Sequence, residues 1–144
     1  SGGGGFARQR SGRILPAPAL EGSCTMQSRD QSEIEAVVGT YIEGMIRGDR
    51  AMLERAFHPR MSEIGHFEGA LMWNDRDQFI GLCEGAADPG LPASWTILNL
   101  SVSGDIASVH VEDDWAGLTF DDYLLLLRSE GRWQIVSKAF RVRP

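Results

Sequence analysis

The sequence has no cysteine framework, no long apolar run and no short catalytic signature. Its two cysteines, Cys24 and Cys83, fall in an irregular N-terminal stretch and in an expected helix. A disulfide between them would tether something flexible to something packed, so both read as free thiols. No apolar run approaches the ~20 residues that a membrane span needs. The N-terminus lacks the apolar core of a signal peptide, which makes a cytoplasmic location the expectation. There is no phosphate-binding Gly loop, no Cys-x-x-Cys pair and no serine in a nucleophile elbow. The histidines His58, His66 and His110 are dispersed and make no zinc signature, and no metal or other cofactor is implied. Positive charge is also short: 14 Lys and Arg stand against 20 Asp and Glu, a net charge of −6. An acidic body repels phosphate backbones and anionic lipid, so neither nucleic acid nor a membrane is an expected partner.

What is present suits one soluble domain. With 144 residues, 42% apolar and 24% charged, the chain can bury a real core. Residues 1–25 begin SGGGG and continue with scattered Arg, Pro and Ala, without helical or strand period. They read as a flexible extension, appended or upstream, with the domain proper over 26–144. Ser28 with Gln31, and Ser32 with Glu35, have capping-box spacing for a first helix. Its apolar face is Ile34, Val37, Val38, Tyr41 and Met45. Gly48 can end it, Asp49 can cap a second helix bearing Leu53, Ala56 and Phe57, and Pro59 lies beyond. Two brief strand-like pieces around Glu68-Gly69 precede a third helix, capped by Asn74 or Asp75, with Phe79, Ile80 and Cys83 on one face. A loop follows, then four strands with turns at Ser103-Gly104-Asp105, Ala116-Gly117 and Ser129-Glu130-Gly131. The expected fold is α+β, with helices on one face of a curved antiparallel sheet.

Alternation in the last strand groups Val136, Lys138, Phe140 and Val142 on one face, and Trp133, Ile135, Ser137, Ala139 and Arg141 on the other. An ammonium in such a row is costly without a partner or a route to water, so Lys138 is the most informative position. It can anchor a ligand, or it can snorkel or pair for structural reasons. Asp122 shares a face with Phe120, Leu124 and Leu126 and could point inward toward Lys138. Across the hairpin, Glu112, Asp113 and Asp114 approach Asp121 and Asp122, which could raise one carboxyl's pKa; solvated strand ends are the plainer account of them than a cation site. His66, beside Ile64 and Phe67, could be a general base or a satisfied wall residue. His110 falls opposite Ala107, Val109 and Val111 and so faces outward. Tyr41 needs a hydrogen-bond partner if buried, and Trp73, Trp95, Trp115 and Trp133 supply aromatic bulk.

The pieces YIEGMIRGD (residues 41–49), AFHP (56–59) and FDDYLLLLRSEGRWQIVSKAF (120–140) resemble the putative lumazine-binding family, within the nuclear transport factor 2 and ketosteroid isomerase superfamily. The resemblance covers roughly residues 30–142. It implies a cone-shaped α+β fold, three helices closing over a curved sheet around a pocket, commonly as a homodimer through the sheets' outer faces. Tyr41 matches the tyrosine that donates to an enolate in the isomerases. Their aspartate base would fall near Gly65 and His66 and their second acid near Leu125, where no carboxylate stands, so half of that constellation is missing. The two inward histidines of scytalone dehydratase-like chemistry are also lacking. The alignment puts Lys138 on the pocket side. The expected function is a homodimeric pocket protein for a small aromatic or carbonyl-bearing ligand, walled by Lys138, Asp122, Tyr123 and Trp115. The rivals are an isomerase, dehydratase or cyclase with His66 as base and Tyr41 or Lys138 as electrophile, and a dimerisation or scaffold module whose cavity is filled.

Overall fold

The computed structural model describes residues 17–144, and their side chains from residue 26. The chain divides into two units, residues 1–30 and 31–144, and the site lies in the second. Helix α1 spans Ala17–Arg47 and begins upstream of both expected caps, within the stretch 1–25 read from sequence as an extension. Ser28 and Ser32 are therefore interior residues of the helix rather than its caps; in place of a capping box, Gln31 donates to Glu35 one turn on. The part of the expected extension before residue 17, and the Cys24 side chain, lie outside the described residues.

Gly48, at φ +64°, takes the left-handed turn that ends α1. Asp49 then caps α2 (Arg50–Ala56) by accepting from the Met52 amide at 3.1 Å. Strands β1 (Phe57–Phe67) and β2 (Ala70–Asn74) form a hairpin. Asp75 and Gln78 close a capping box on α3 (Arg76–Gly85). Four strands follow: β3 (Trp95–Ser103), β4 (Ile106–Trp115), β5 (Leu118–Ser129) and β6 (Arg132–Val142). The hairpin turns Glu68-Gly69, Ala116-Gly117 and Glu130-Gly131 each hold two residues at positive φ, which matches the twist of the strands they join.

The six strands lie in the order β2-β1-β6-β5-β4-β3. The sheet is curved and mixed, not wholly antiparallel as expected, because β1 pairs with β6 in parallel. That pairing needs a long crossover, which α3 and the intervening strands supply. The core joins Ile34, Val38, Tyr41, Ile42 and Met45 of α1 with Leu53, Phe79, Ile80 and the inward residues of the sheet. Each such side chain, fully buried, contributes roughly 1.5–3 kcal/mol. Arg50 ties α2 to α3, reaching Glu84 at 3.0 Å and Asp77 at 2.7 Å. Among the described residues, no helix is long and apolar enough to cross a membrane.

A bulge in β6 corrects the simple alternation. Leu125 pairs with Ser137, but Leu126 pairs with Ile135, so Val136 is an extra residue. Trp133 and Ile135 therefore join Lys138 on the core side, and all three are buried.

Candidate functional site

The inner face of the sheet is apolar at one end and carries charge at the other. Lys138 is buried, and its Nζ donates to Glu63 Oε2 at 3.2 Å. Its ammonium also lies over three rings, 4.4 Å from the centroid of Phe79, 5.0 Å from Tyr41 and 5.6 Å from Phe140. Glu63 is inward because it alternates with Met61 on β1, and its other oxygen accepts from Asn74 at 2.9 Å. Burial alone would lower the Lys138 pKa. The charges of Asp122 and then Glu63 more than offset this and hold it above the usual lysine range. The amine is thus locked as a cation, which is the wrong state for a lysine that must attack a carbonyl.

Behind this pair lies a second polar group. Tyr41 donates to Asp122 Oδ2 at 2.6 Å, entirely within the core. Burial, then the neighbouring carboxylates, push the phenol well above its ordinary pKa, so it remains a donor. Asp113 continues the Ala107, Val109 and Val111 face of β4, and its register on β5 makes it the diagonal neighbour of Asp122. Burial first, then the charge and hydrogen bond of Asp122, push Asp113 up to about 9, with Lys138 opposing. Asp113 is therefore a neutral acid at pH 7. Two carboxyl oxygens, Asp113 Oδ2 and Asp122 Oδ1, have no other partner among the described residues. A proton shared between these acids satisfies both.

A cavity of about 180 Å³ opens in front of these groups. Its walls are mainly apolar, among them Met45, Phe67, Met72, Phe79, Leu82, Phe120 and Phe140. Glu63, Asp113, Lys138 and the indole of Trp115 break that lining. The Trp115 Nε1 is buried without a partner among the described residues.

The residues expected at the site separate into three layers. Lys138 and Trp115 stand on the wall. Tyr41 and Asp122 are inward but sit behind it, bonded to each other; the partner of Lys138 is Glu63 rather than Asp122. His66 and Tyr123 are corrections. His66 is exposed, since Met61 and Glu63 fix the opposite parity of β1 as the inner one. Tyr123 is 60% exposed and stacks on His110 at 4.4 Å on the outer face, as the inward turn of Asp122 requires. Glu63 was missed, and Asp113 was named only as one of several acids at a strand end. Extending the Ala107–Val109–Val111 alternation by one step would have found Asp113. For Glu63, alternation groups it with Met61, Gly65 and Phe67 against Ser62, Ile64 and His66, and residue type alone does not say which of the two faces is inner. At Gly65, where the isomerases' base would fall, a Cβ would lie 2.5 Å from the Phe140 carbonyl and 2.7 Å from its ring. The second such position, Leu125, is on the outer face and 53% exposed. Among the described residues, no cluster of side chains could hold a metal ion.

Helices packed over a curved sheet with a cavity between them define a nuclear transport factor 2-like protein. The chain belongs to the putative lumazine-binding family, whose model matches residues 29–141. It is similar to a solved NTF2-like protein of unknown function from Silicibacter pomeroyi, with 52% identity and a TM-score of 0.80 over 81% of this chain and 98% of that one. A second NTF2-like protein of unknown function, from Shewanella baltica, shares the fold at 24% identity and a TM-score of 0.75, over 81% of this chain and 96% of its own. Among characterised proteins, aldolase FrzH of Cladobotryum is 26% identical over 117 residues, 78% of this chain and 94% of that protein.

Proposed function

We propose that this protein encloses a small aromatic or carbonyl-bearing ligand and works as a homodimer. The observation that carries the reading is the cavity itself: about 180 Å³ of space with aromatic walls, interrupted by a buried ion pair and a neutral acid. A scaffold module with a filled interior would have no use for that space. A fold also gains little from a buried ion pair, which apolar residues of similar size replace at no loss. Thermal-shift screening against aromatic ketones, pterins and phenols tests the reading, since a ligand at 100 times its Kd adds about 2.7 kcal/mol. Leu82 lines the cavity and is 42% exposed, so Leu82→Trp can obstruct the space without opening the core. The reading requires that this variant keep the wild-type melting temperature and lose the ligand shift.

The outer face of the sheet supports the homodimer. Trp73, Ile64, Ala139 and Tyr123 are register partners in one row across β2, β1, β6 and β5. Trp73, Tyr123, Leu125 and Leu71 are all more than half exposed. Apolar groups grouped in this way mark an association surface. Light scattering at micromolar concentration should give twice the chain mass, and Tyr123→Glu with Leu125→Lys should halve it. A wild-type monomer rejects the proposal.

A second reading is catalytic, with Glu63 in place of His66. Glu63 is a carboxylate on the wall, next to a permanent cation that can hold a carbonyl oxygen. Base and electrophile together suit proton removal beside a carbonyl, and one relative of this chain is named an aldolase. Exchange of the methyl protons of acetophenone in D2O, accelerated by wild type and not by Glu63→Gln, would support it. A rate equal to buffer for both would end it.

A further inference from the structure

The cavity shares part of its wall with a second concavity. Trp115 and Ala116 line both the cavity and a surface groove of about 450 Å³, which lies between the β4–β5 turn and residues 86–94. We propose that this groove is the outer part of the binding site and takes an uncharged alkyl chain carried by the ring that the cavity encloses. This rests on the small-molecule reading above and deepens it.

Both banks of the groove are held in place by the backbone. On one side the Asp88 amide donates to the Ile46 carbonyl at the end of α1, at 2.9 Å, and the Leu91 amide donates to Asp88 at 3.0 Å. The far end of the same segment is tied to β4, where the Asp114 amide donates to the Ser94 carbonyl at 3.1 Å. Gly48 permits the close approach, since a Cβ there would lie 2.7 Å from that of Ala87. The other bank is the turn Ala116-Gly117, with both residues at positive φ. Ile46, itself buried, lies between the banks. A groove fixed in this way needs little ordering when a ligand enters.

Size divides the ligand between the two spaces. The cavity, at about 180 Å³, is close to engineered cavities of about 150 Å³ that hold one benzene ring. One ring therefore fills it, and a longer substituent has to leave past Trp115 and Ala116. The surface it meets there is apolar. Leu91 and Leu118 stand on opposite banks at 49% and 37% exposed, and Leu82 on the cavity side is 42% exposed. Leucines gathered at one opening mark a surface that gains by being covered. The charged side chains along the groove are Asp88 and Asp114, and no lysine, arginine or histidine lines it among the described residues. A chain ending in a carboxylate would meet two acids and no cation, whereas a neutral chain avoids that cost.

Calorimetric titration of the full chain at pH 7 with 4-ethylphenol, 4-butylphenol and 4-hexylphenol reads the groove directly. Full burial of a methylene is worth about fourfold in affinity, and a chain in an open groove keeps one side in water, so about twofold per methylene is expected. Hexylphenol should then bind about fifteenfold tighter than ethylphenol. The carboxylate-ended 6-(4-hydroxyphenyl)hexanoate should bind no tighter than ethylphenol. Leu91→Asp with Leu118→Asn puts polar groups on both banks; it should bring hexylphenol within about fourfold of ethylphenol and leave ethylphenol itself within about twofold of wild type. If that pair does not fold, Leu91→Asp alone serves under the same criterion. Equal affinity for the ethyl and hexyl probes, a chain-length gain that survives in the variant, or a carboxylate as tight as hexylphenol overturns the proposal. Binding of none of the probes removes the small-molecule reading itself, whereas ethylphenol binding without any gain from chain length keeps that reading and removes the groove.

Discussion

Asp121 and Asp122 are chain neighbours on β5 whose side chains leave the strand on opposite faces. Outside, Asp121 accepts from Arg143 at 2.8 and 2.9 Å and pairs with His110 at 2.8 Å. These contacts hold its carboxyl well below the usual range, Arg143 contributing most and His110 next. Inside, Asp122 has Tyr41 and Asp113 as its immediate partners, and the cost of gathering charge there falls on Asp113, which keeps a proton up to about pH 9. One residue of register thus separates a carboxylate that stabilises by staying charged from an acid pair that must share a proton. The lesson is that the outer network can be taken apart piece by piece, whereas the inner one stands or falls as a unit.

The largest expected effect follows from that contrast. Lys138→Met leaves Glu63 and Asp122 buried without their cation and should destabilise the fold by about 3–5 kcal/mol in urea unfolding. Combining it with Glu63→Gln should recover most of the loss, since the uncompensated charge is gone and the carboxamide oxygen put in its place can still accept from Asn74. A double variant no better than the single would mean that Lys138 acts through packing alone, and the contrast between the two faces would then fail.

Next is the pH dependence of the inner pair. The folded pKa of Asp113 lies above its unfolded value, so the native state holds a proton that the unfolded chain releases. Stability from this group is full below the ordinary carboxylate range and falls as pH rises toward about 9, where the native proton leaves and the fall stops. Asp113→Asn keeps a donor toward Asp122 and removes the titration. Relative to this variant, wild type should lose up to about 1.4 kcal/mol per pH unit between about pH 5 and 8. Parallel stability curves would show that Asp113 is not the proton holder.

Much of this arrangement was legible from residue order. The three helices, the Gly48 stop, the Asp49 cap and the inward position of Asp122 follow from local spacing, because helix period, turns and strand parity are local properties. So does the approach of the two acidic strand ends, although the plainer account of them as solvated does not hold for Asp113 and Asp122, which are buried. Lys138 lines the cavity, on the side that the family resemblance rather than strand parity implied, and Trp133 and Ile135 join it on the core side because a bulge at Val136 shifts the parity and leaves no signature in residue type. His66 drew attention by its chemistry, while Glu63 three positions earlier is the inward residue. Choosing between them requires the pairing of β1 with β6, a contact between distant parts of the chain. The parallel direction of that pairing is non-local for the same reason.

Two smaller effects complete the series. Tyr41→Phe removes the donor to Asp122 and leaves a buried acceptor short of one bond, at a cost of roughly 1–3 kcal/mol. Asp121→Asn, one residue away on the outer face, should cost less than about 1 kcal/mol near neutral pH, because its partners Arg143 and His110 remain in reach of water. The folded pKa of Asp121 is lowered, so its contribution is present above the ordinary carboxylate range and disappears as pH falls through the folded value. Wild type and Asp121→Asn should therefore differ at pH 7 and converge in strong acid, the reverse of the Asp113→Asn pair. High salt should shrink the Asp121 effect and leave the Tyr41 effect unchanged, since screening acts on exposed charges and barely reaches the core. Equal salt sensitivity in the two variants would show that the inner face is open to solvent, and the division between the faces would no longer hold.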